Sequence, residues 1–438
     1  MITRLVLLGA TGDLAGRFLL PALAQLVASG QLPDELQVTG GGQQDWTDQQ
    51  FRDHVGSRLR DHAGDLPDAA HEALLAGLRY RQVNLDDPGS VARVIAAADP
   101  GPVGVYLALP PQTFPGALRA LIAADLPVGS RVAVEKPFGE DRDSATSLNA
   151  LLARVASGGA ASGFRVDHIL AMPRVRELVR LRGAGGEYEP VWDAAHIERV
   201  EIVWEETLGL EARGAFYDAT GAVKDVMQNH LLQVMVLAAM EPPAGEAEQD
   251  VHEAKLALLR RVREPSVVDM PSRTSRARYG AGALVDSDVP GGRRVPGYAQ
   301  ADGVEPGRGV ETYAEVVLEI DAPRWAGVPF VLRTGKAMGA ARKGVAVHFR
   351  PNAASRPLWI ELDGPGGSIE APGELSAYQE VLADFLTGGS RASISAEEAV
   401  EAWQIFEPVL RSWAAGAVPL LDYAAGSSGP ERLTVSFL

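Results

Sequence analysis

The sequence predicts an α/β protein of two domains, opening with a parallel sheet whose strands alternate with helices. Three observations predict it. At 438 residues the chain exceeds one ordinary compact domain. Its N-terminal third repeats a short apolar run followed by a stretch of helical periodicity, the pattern of a sheet with helical crossovers. Those runs end in polar or turn-forming residues, and ligands of such sheets gather at the carboxyl ends of the strands.

Taken in order, residues 2–8 read as a strand, its apolar run Leu5-Val6-Leu7-Leu8 stopping at Gly9-Ala10-Thr11-Gly12-Asp13-Leu14-Ala15. Leu19, Leu20, Leu23, Leu26 and Val27 then recur at helical spacing up to Gly30. Strand, glycine turn and helix make a unit whose backbone N–H groups and helix N-terminus suit a pyrophosphate, although Gly-x-x-Gly is a weaker signal than a full GxGxxG. Further strands are expected at 37–39, 80–83, 103–109 and 131–134, ending in Gly40-Gly41-Gly42, Pro110-Pro111 and Glu135-Lys136-Pro137. Right-handed crossovers make one parallel sheet of them. Downstream, 200–204 alternates like a strand and delivers Glu205-Glu206; 246–263 reads as a charged helix; 313–320 and 345–349 have the period-two character of strands. Glycine and proline crowd 286–308, so a long irregular loop is expected there, either folded over a site or mobile.

Composition narrows the function. Hydrophobic residues at 46% and charged residues at 22% are ordinary for a soluble globular chain, and no apolar run approaches the length of a membrane span. The short apolar start, quickly followed by Gly and Asp, does not read as a signal peptide. Without cysteine there is no disulfide or thiolate chemistry, which fits a cytoplasmic enzyme. A formal charge of -16 argues against nucleic-acid or anionic-membrane partners, so an anionic substrate needs locally placed Arg and Lys.

The chemistry centres on residues 220–233. At helical spacing His230 shares a stripe with Val226, Met227, Val234 and Leu237, an imidazole on an otherwise apolar face. A lone buried histidine is usually a packed, hydrogen-bonded one. This one is flanked by Asp225, Gln228 and Asn229, and far upstream Arg165-Val166-Asp167-His168 ends an apolar run with an acid and a second histidine. A carboxylate that orients an imidazole is minimal machinery for deprotonating an alcohol. Lys136 reads either as a solvated turn charge or, beside a proline that admits a cis bond, as a group held rigidly at the reacting centre.

Six motifs then occur together and in order: Gly9-x-x-Gly-Asp-Leu-Ala, Tyr106-Leu-Ala-Leu-Pro-Pro, Glu135-Lys-Pro-Phe-Gly, Arg165-Val-Asp-His, Asp225-Val-Met-Gln-Asn-His-Leu-Leu-Gln, and Val328-Pro-Phe-Val-Leu-Arg-Thr-Gly-Lys336. In this the chain resembles the glucose-6-phosphate dehydrogenases, nearly end to end, since Ala377-Tyr378-Gln379-Glu380 and Glu401-Ala402-Trp403-Gln404-Ile405-Phe406 resemble that family's C-terminal helices. The resemblance implies a Rossmann domain, here 1–166, followed by an α+β substrate and catalytic domain with a large antiparallel sheet, 167–438. It implies an NAD(P)-dependent oxidation of an aldose at C1, with His230 as base and Asp167 as its carboxylate. Lys136, His168, Glu206, Asp225 and Lys336 would hold the sugar or its phosphate. Gly9, Thr11, Gly12, Asp13, Leu14, Arg17, Gln43, Pro110 and Lys136 are the expected cofactor contacts. No metal is called for, and a homodimer or homotetramer is expected.

Departures from the family pattern are informative. A tyrosine and a lysine expected in the phosphate motif are replaced by Ile169 and Met172, with Arg174 or Arg176 as candidate substitutes or an unphosphorylated hexose as the alternative substrate. A basic residue is missing at Phe18, although Arg17 is adjacent, and after the second strand Gly40-Gly41-Gly42-Gln43-Gln44 stands where an arginine usually takes the 2′-phosphate of NADP. A cofactor site that favours NAD, or accepts both dinucleotides, is expected. Between 350 and 375 the chain is short and rich in Gly and Pro, which puts strands of the large sheet in doubt. Two other readings stay open, a different sugar or cyclitol oxidoreductase and a catalytically silent relative.

Overall fold

The computed structural model describes residues 2–32, 36–96, 101–156, 162–183, 185–210, 213–245, 247–285, 292–351, 357–362 and 373–433. Apolar runs bounded by glycine turns form the first sheet: β1 (Arg4–Leu8), β2 (Gln37–Gly42), β3 (Leu78–Gln82), β4 (Gly104–Leu107), β5 (Arg131–Val134) and β6 (Ser162–Val166). They are parallel in the order β6-β5-β4-β1-β2-β3, and a two-residue strand, Ser393–Ile394, runs antiparallel along β6. This is the doubly wound order in which the ligand crevice opens at the carboxyl ends of β1 and β4, where the winding reverses. β1 and β4 are buried along their whole length, as strands covered on both faces must be.

The compact units cross the boundary expected at 166/167. The first comprises Met1–Pro173 and Gly367–Ala399, the second Arg174–Gly366 and Val400–Leu438. Within the first, helix Gly373–Thr387 packs on helix Leu20–Ala28, a return that no local sequence signal announces. Arg131 anchors it by donating to the carbonyls of Phe385 at 2.5 Å, Asp384 at 3.2 Å and Gly389 at 2.6 Å, its guanidinium lying over the rings of Phe164 and Phe385.

The second unit is built on β7 (Ile197–Glu205), β8 (Thr274–Gly280), β9 (Tyr313–Ile320), β10 (Phe330–Gly335), β11 (Arg342–Phe349), β12 (Leu358–Glu361) and β13 (Leu420–Ala424), in the order β12-β11-β7-β10-β9-β8-β13. The sheet is mixed rather than purely antiparallel, because β10 runs parallel to β7 and β13 parallel to β8. β12 supplies an edge strand within the stretch where strands were in doubt, most of the remainder of which lies outside the described residues. The Gly/Pro-rich loop is also more ordered than expected. Arg293–Val295 pairs with Gly282–Leu284 in a hairpin, and Tyr298–Gln300 and Pro306–Arg308 form 3-10 turns, while 286–291 lie outside the described residues. The expected helix at 246–263 is Glu248–Leu259, after which Val262–Arg263 joins β9.

The segment carrying His230 departs from the expected 3.6-residue spacing. Val223–Leu231 is a π-helix, continued by the α-helix Leu232–Ala239. Wider turns rotate successive side chains differently, so the stripe drawn through Val226, His230 and Leu237 is not a single straight face. Nearly every side chain from Val226 to Ala239 is buried, His230 at 3% exposed.

Candidate active site

The glycine turn is the first component, in the first unit. Gly9 has φ 88°, and a Cβ there would lie 2.1 Å from the Ala108 carbonyl oxygen beyond β4, so only glycine lets the two strand ends approach. The Gly12 N–H donates to Gly9 O at 3.0 Å, and Gly16 N–H to Gly12 O at 3.0 Å, leading directly into the π-turn Ala15–Leu19. Thr11 donates its hydroxyl to Gln44 Oε1 at 3.0 Å, and Tyr80 its hydroxyl to the Gln44 carbonyl at 3.0 Å, which ties the end of β2 to the turn. Gln43 is exposed, with its carbonyl accepting from Gln82 Nε2 at 3.0 Å. Asp13 and Leu14 open the helix, Asp13 meets Arg17 at 3.7 Å, and Pro110 follows β4 beside this turn, its carbonyl accepting the Thr113 hydroxyl at 2.7 Å. Backbone N–H groups at a helix start at the crevice end of a doubly wound sheet fit a dinucleotide's pyrophosphate.

The second component lies further along the same sheet edge. Lys136, half-buried, follows β5 and is joined to Pro137 by a cis peptide bond. Asp167 and His168 follow β6, 0% and 8% exposed, and Asp167 accepts the Ile169 N–H at 3.2 Å, closing the short turn His168–Ala171. The His168 ring stacks on Tyr378 at 4.9 Å, and Tyr378 in turn meets Phe18 at 5.3 Å. Phe18 thus serves a ring stack where a basic residue was expected. Ile169 and Met172 are 0% and 1% exposed, which makes them packing residues rather than the lining of an open pocket. Arg174, a candidate substitute cation, donates to Glu177 at 2.6 Å, and Arg176 is exposed.

In the second unit, Glu206 and Lys336 each stand one residue beyond the paired ends of the parallel strands β7 and β10, where Glu205 is opposite Gly335. That register brings Lys336 Nζ to 2.5 Å from Glu206 Oε2 and to 4.0 Å from Asp225 Oδ2. Burial by itself would depress the Lys336 ammonium; the carboxylates of Glu206 and Asp225 outweigh it and hold the group above its usual range, so it stays charged. Tyr217 lies under it, 5.7 Å from Nζ to the ring. His230 projects from the π-helix with its ring 6.4 Å from that of Trp204 on β7.

This helix is held at both ends. Its first turn follows Gly221 (φ 70°, ψ 173°), where the chain breaks from Gly214–Ala222, and the buried Glu311 carboxylate accepts the Val223 N–H at 3.1 Å. An anion at a helix start satisfies orphan N–H groups and complements the dipole. At the far end, indole N–H groups of Trp192 and Trp325 donate to the carbonyls of Ala238 and Ala239 at 2.7 and 2.8 Å, and Arg182 donates to Met240 O at 2.6 Å. Asn229 reaches back to Lys224 O at 2.8 Å.

All predicted residues of the first unit therefore gather along one sheet edge, and Glu206, Asp225 and Lys336 form one cluster in the second, with His230 on the helix that also carries Asp225. Glu135, Tyr106, Tyr378, Tyr217 and Glu311 were missed as individuals. Four signals pointed at three of them, since Glu135, Tyr106 and Tyr378 stand inside quoted motifs and Glu135 adjoins Lys136; nothing local marked Glu311.

A doubly wound nucleotide-binding sheet, with a buried imidazole and a lysine–carboxylate cluster in the following unit, defines a dinucleotide-dependent dehydrogenase. Comparison with known proteins names the branch. Residues 6–177 match the family described as glucose-6-phosphate dehydrogenase, NAD binding domain, and residues 179–358 and 367–437 match its C-terminal domain. The chain belongs to the glucose-6-phosphate dehydrogenase family. It is 32% identical to glucose-6-phosphate 1-dehydrogenase 2 of Mycobacterium tuberculosis (strain ATCC 25618 / H37Rv) over 98% of this chain and 91% of that one, and 34% identical to the Mycolicibacterium smegmatis glucose-6-phosphate 1-dehydrogenase over 97% and 94%. Among solved structures, a glucose-6-phosphate dehydrogenase in complex with its substrate glucose-6-phosphate superimposes with TM-score 0.83 at 26% identity, covering 99% of this chain and 96% of that one. The Mycobacterium avium glucose-6-phosphate 1-dehydrogenase gives TM-score 0.82 at 30% identity, covering 98% and 95%. A myo-inositol dehydrogenase from Corynebacterium glutamicum, at 13% identity and TM-score 0.53, shares the fold. Among the described residues no helix is long and apolar enough to cross a membrane.

Proposed function

We propose that this enzyme oxidises C1 of glucose 6-phosphate to the 1,5-lactone, with residues 1–166 binding the dinucleotide and 167–438 carrying substrate binding and catalysis. The observation that carries this reading is the Lys336–Glu206–Asp225 cluster, a charged lysine at a strand end between the carboxylate of Glu206 at the neighbouring strand end and that of Asp225 on the π-helix, suited to hydroxyl and phosphate oxygens alike. His230 takes the proton of the C1 hydroxyl, and Asp167 orients the imidazole and stabilises the imidazolium. A bound nicotinamide supplies the hydride acceptor. Lys136, held at the end of β5, and His168, braced on Tyr378, serve sugar and phosphate oxygens, and Lys136 also reaches the cofactor.

The cofactor preference we infer is NAD, with tolerance of NADP. The end of β2 offers Gln43 and Gln44 and no cation, and Arg17 is engaged by Asp13. A lost charge-assisted contact to the 2′-phosphate is worth roughly 1.5–3 kcal/mol, about ten- to a hundred-fold in affinity. The burial of Ile169 and Met172 takes support from the alternative of an unphosphorylated hexose. The enzyme is taken to work as a homodimer or homotetramer in the cytoplasm.

Steady-state rates with glucose and glucose 6-phosphate, each with NAD and with NADP, test the proposal together with direct titration of both dinucleotides by fluorescence. Faster turnover of glucose would overturn the substrate, and tighter binding of NADP than NAD would overturn the cofactor preference.

A further inference from the structure

The turn that carries Lys336 is held against its own backbone preference. Ala337 follows it at φ 54°, in the left-handed region, a conformation that costs free energy in a residue with a Cβ and persists where the surroundings over-determine it. Ala337 is fully buried, and every residue from Lys336 to Gly339 is tied to another segment through its backbone N–H. In order, those four N–H groups donate to the carbonyls of Thr312 at 2.9 Å, Leu208 at 2.8 Å, Glu206 at 2.9 Å and Ser427 at 2.7 Å.

The carbonyl side of the turn is held by the last strand. Tyr423, on β13, donates its hydroxyl to the Lys336 carbonyl at 2.6 Å, and the Gly426 N–H donates to the Ala337 carbonyl at 2.7 Å. In the sheet β13 stands beyond β9 and β8 from β10, but it runs parallel to β8 with Tyr423 opposite Tyr279. Its carboxyl end therefore comes to the end of the sheet where β7 and β10 also finish and β9 begins. Thr312, one residue before β9, completes the link. Its hydroxyl lies 3.0 Å from that of Tyr423 and accepts the Tyr279 N–H at 2.9 Å. The single hydroxyl proton of Tyr423 is committed to Lys336, so Thr312 is the donor between the two hydroxyls. Burial pushes the Tyr423 hydroxyl far up, which keeps it a donor throughout the working range. Its ring meets those of Tyr279 at 6.4 Å and Tyr313 at 6.1 Å, both edge-on, so packing places the ring and the hydroxyl reaches the turn.

A lysine is a point charge on a flexible four-carbon stem, so the root of the stem and the surroundings of its tip must both be fixed for the ammonium to sit in one place. Glu206 and Asp225 surround the tip. We propose that Tyr423 is a positioning residue for sugar-phosphate binding, its hydroxyl fixing the turn from which Lys336 presents its ammonium. This rests on the reading of Lys336 as a substrate ligand given above. Because Met338 in the same turn donates to the Glu206 carbonyl, the brace also holds the backbone of the lysine's partner.

The test compares wild type, Tyr423→Phe, Lys336→Met and the double variant. Phenylalanine keeps the ring and removes only the hydroxyl, and methionine keeps an unbranched stem without the charge. In initial rates at saturating NAD, Tyr423→Phe is expected to raise KM for glucose 6-phosphate about tenfold while kcat falls by less than about threefold, the pattern of lost ground-state binding. In the Lys336→Met background, whose own KM is raised, the same change is expected to raise KM by less than about twofold, because a group that acts through Lys336 has nothing left to act on. The second readout needs no substrate. Hydrogen–deuterium exchange in Tyr423→Phe is expected to speed up severalfold in the peptide covering 336–339 and to keep the wild-type rate in peptides of the first unit, whereas a fold loosened as a whole speeds up everywhere. Equal rises in KM from Tyr423→Phe with and without Lys336 would overturn the positioning role, as would exchange at 336–339 that stays at the wild-type rate or rises only along with the whole protein. If Lys336→Met leaves KM for glucose 6-phosphate unchanged, or wild type does not turn the sugar over, the reading of Lys336 falls instead, and exchange alone judges whether Tyr423 holds the turn.

Discussion

His230 and Lys336 illustrate how much a single side chain depends on what surrounds it. His230 is almost fully buried beside Trp204, an environment in which an imidazole is poorly solvated and strongly oriented. Replacing it with asparagine keeps a polar group of similar size but removes the base. We expect His230→Asn to lower kcat by about 10²–10⁴-fold with KM for the sugar nearly unchanged, measured by initial rates of NAD(P)H formation. Near-normal turnover would exclude His230 as the base. Lys336 acts differently, since its charge is maintained by Glu206 and Asp225; the family resemblance named all three residues, but that Glu206 and Lys336 meet as an ion pair follows from the parallel register of β7 and β10.

At the scale of the element, the helix through residues 223–239 is fixed by groups far away in the chain. Glu311 caps its start and two tryptophans and an arginine close its end. Gly221 is the hinge of that arrangement. Its φ of 70° and ψ of 173° suit glycine, and a Cβ there would sit 2.7 Å from Glu311 Oε1. Gly221→Ala is predicted to destabilise the protein by roughly 3 kcal/mol and to lower kcat together with stability, read by thermal unfolding and rates. Glu311→Gln keeps an acceptor for the Val223 N–H and should cost only about 1 kcal/mol, so equal losses in the two variants would show that the carboxylate's charge, not its position, matters. The sequence marked this segment as the centre of the chemistry, but it could not show the π-turns, which arise where tertiary contacts override the 3.6-residue repeat.

At the scale of the whole molecule, the chain leaves its first compact unit and returns to it. Helix Gly373–Thr387 is tied into that unit by Arg131, which lies 7% exposed with three carbonyl acceptors and two aromatic faces. Arg131→Ala removes the side-chain donor of the Phe385 and Gly389 carbonyls, while Asp384 O keeps the Gly388 and Gly389 N–H groups, and we expect it to cost about 3 kcal/mol and to make the 373–399 segment the first site cut in limited proteolysis. Unchanged proteolysis would mean that packing alone holds the helix. The same return brings Tyr378 under His168, so a substrate residue predicted near position 168 owes its ring orientation to a segment some two hundred positions later.

By itself the sequence determined the order of the first sheet's strands and helices, the glycine turn, the acids and bases at strand ends, and through six ordered motifs the family. These are local or near-local properties: an apolar period, a glycine that must adopt positive φ, a polar residue ending a buried run. The tertiary structure alone decided the parallel pairing of β7 with β10, the capping of the His230 helix by Glu311, the burial of Ile169 and Met172, and the bond from Tyr423 to the Lys336 carbonyl. Each depends on residues far apart in sequence meeting in a dry interior, where the energy of a charge or hydrogen bond is set by its neighbours.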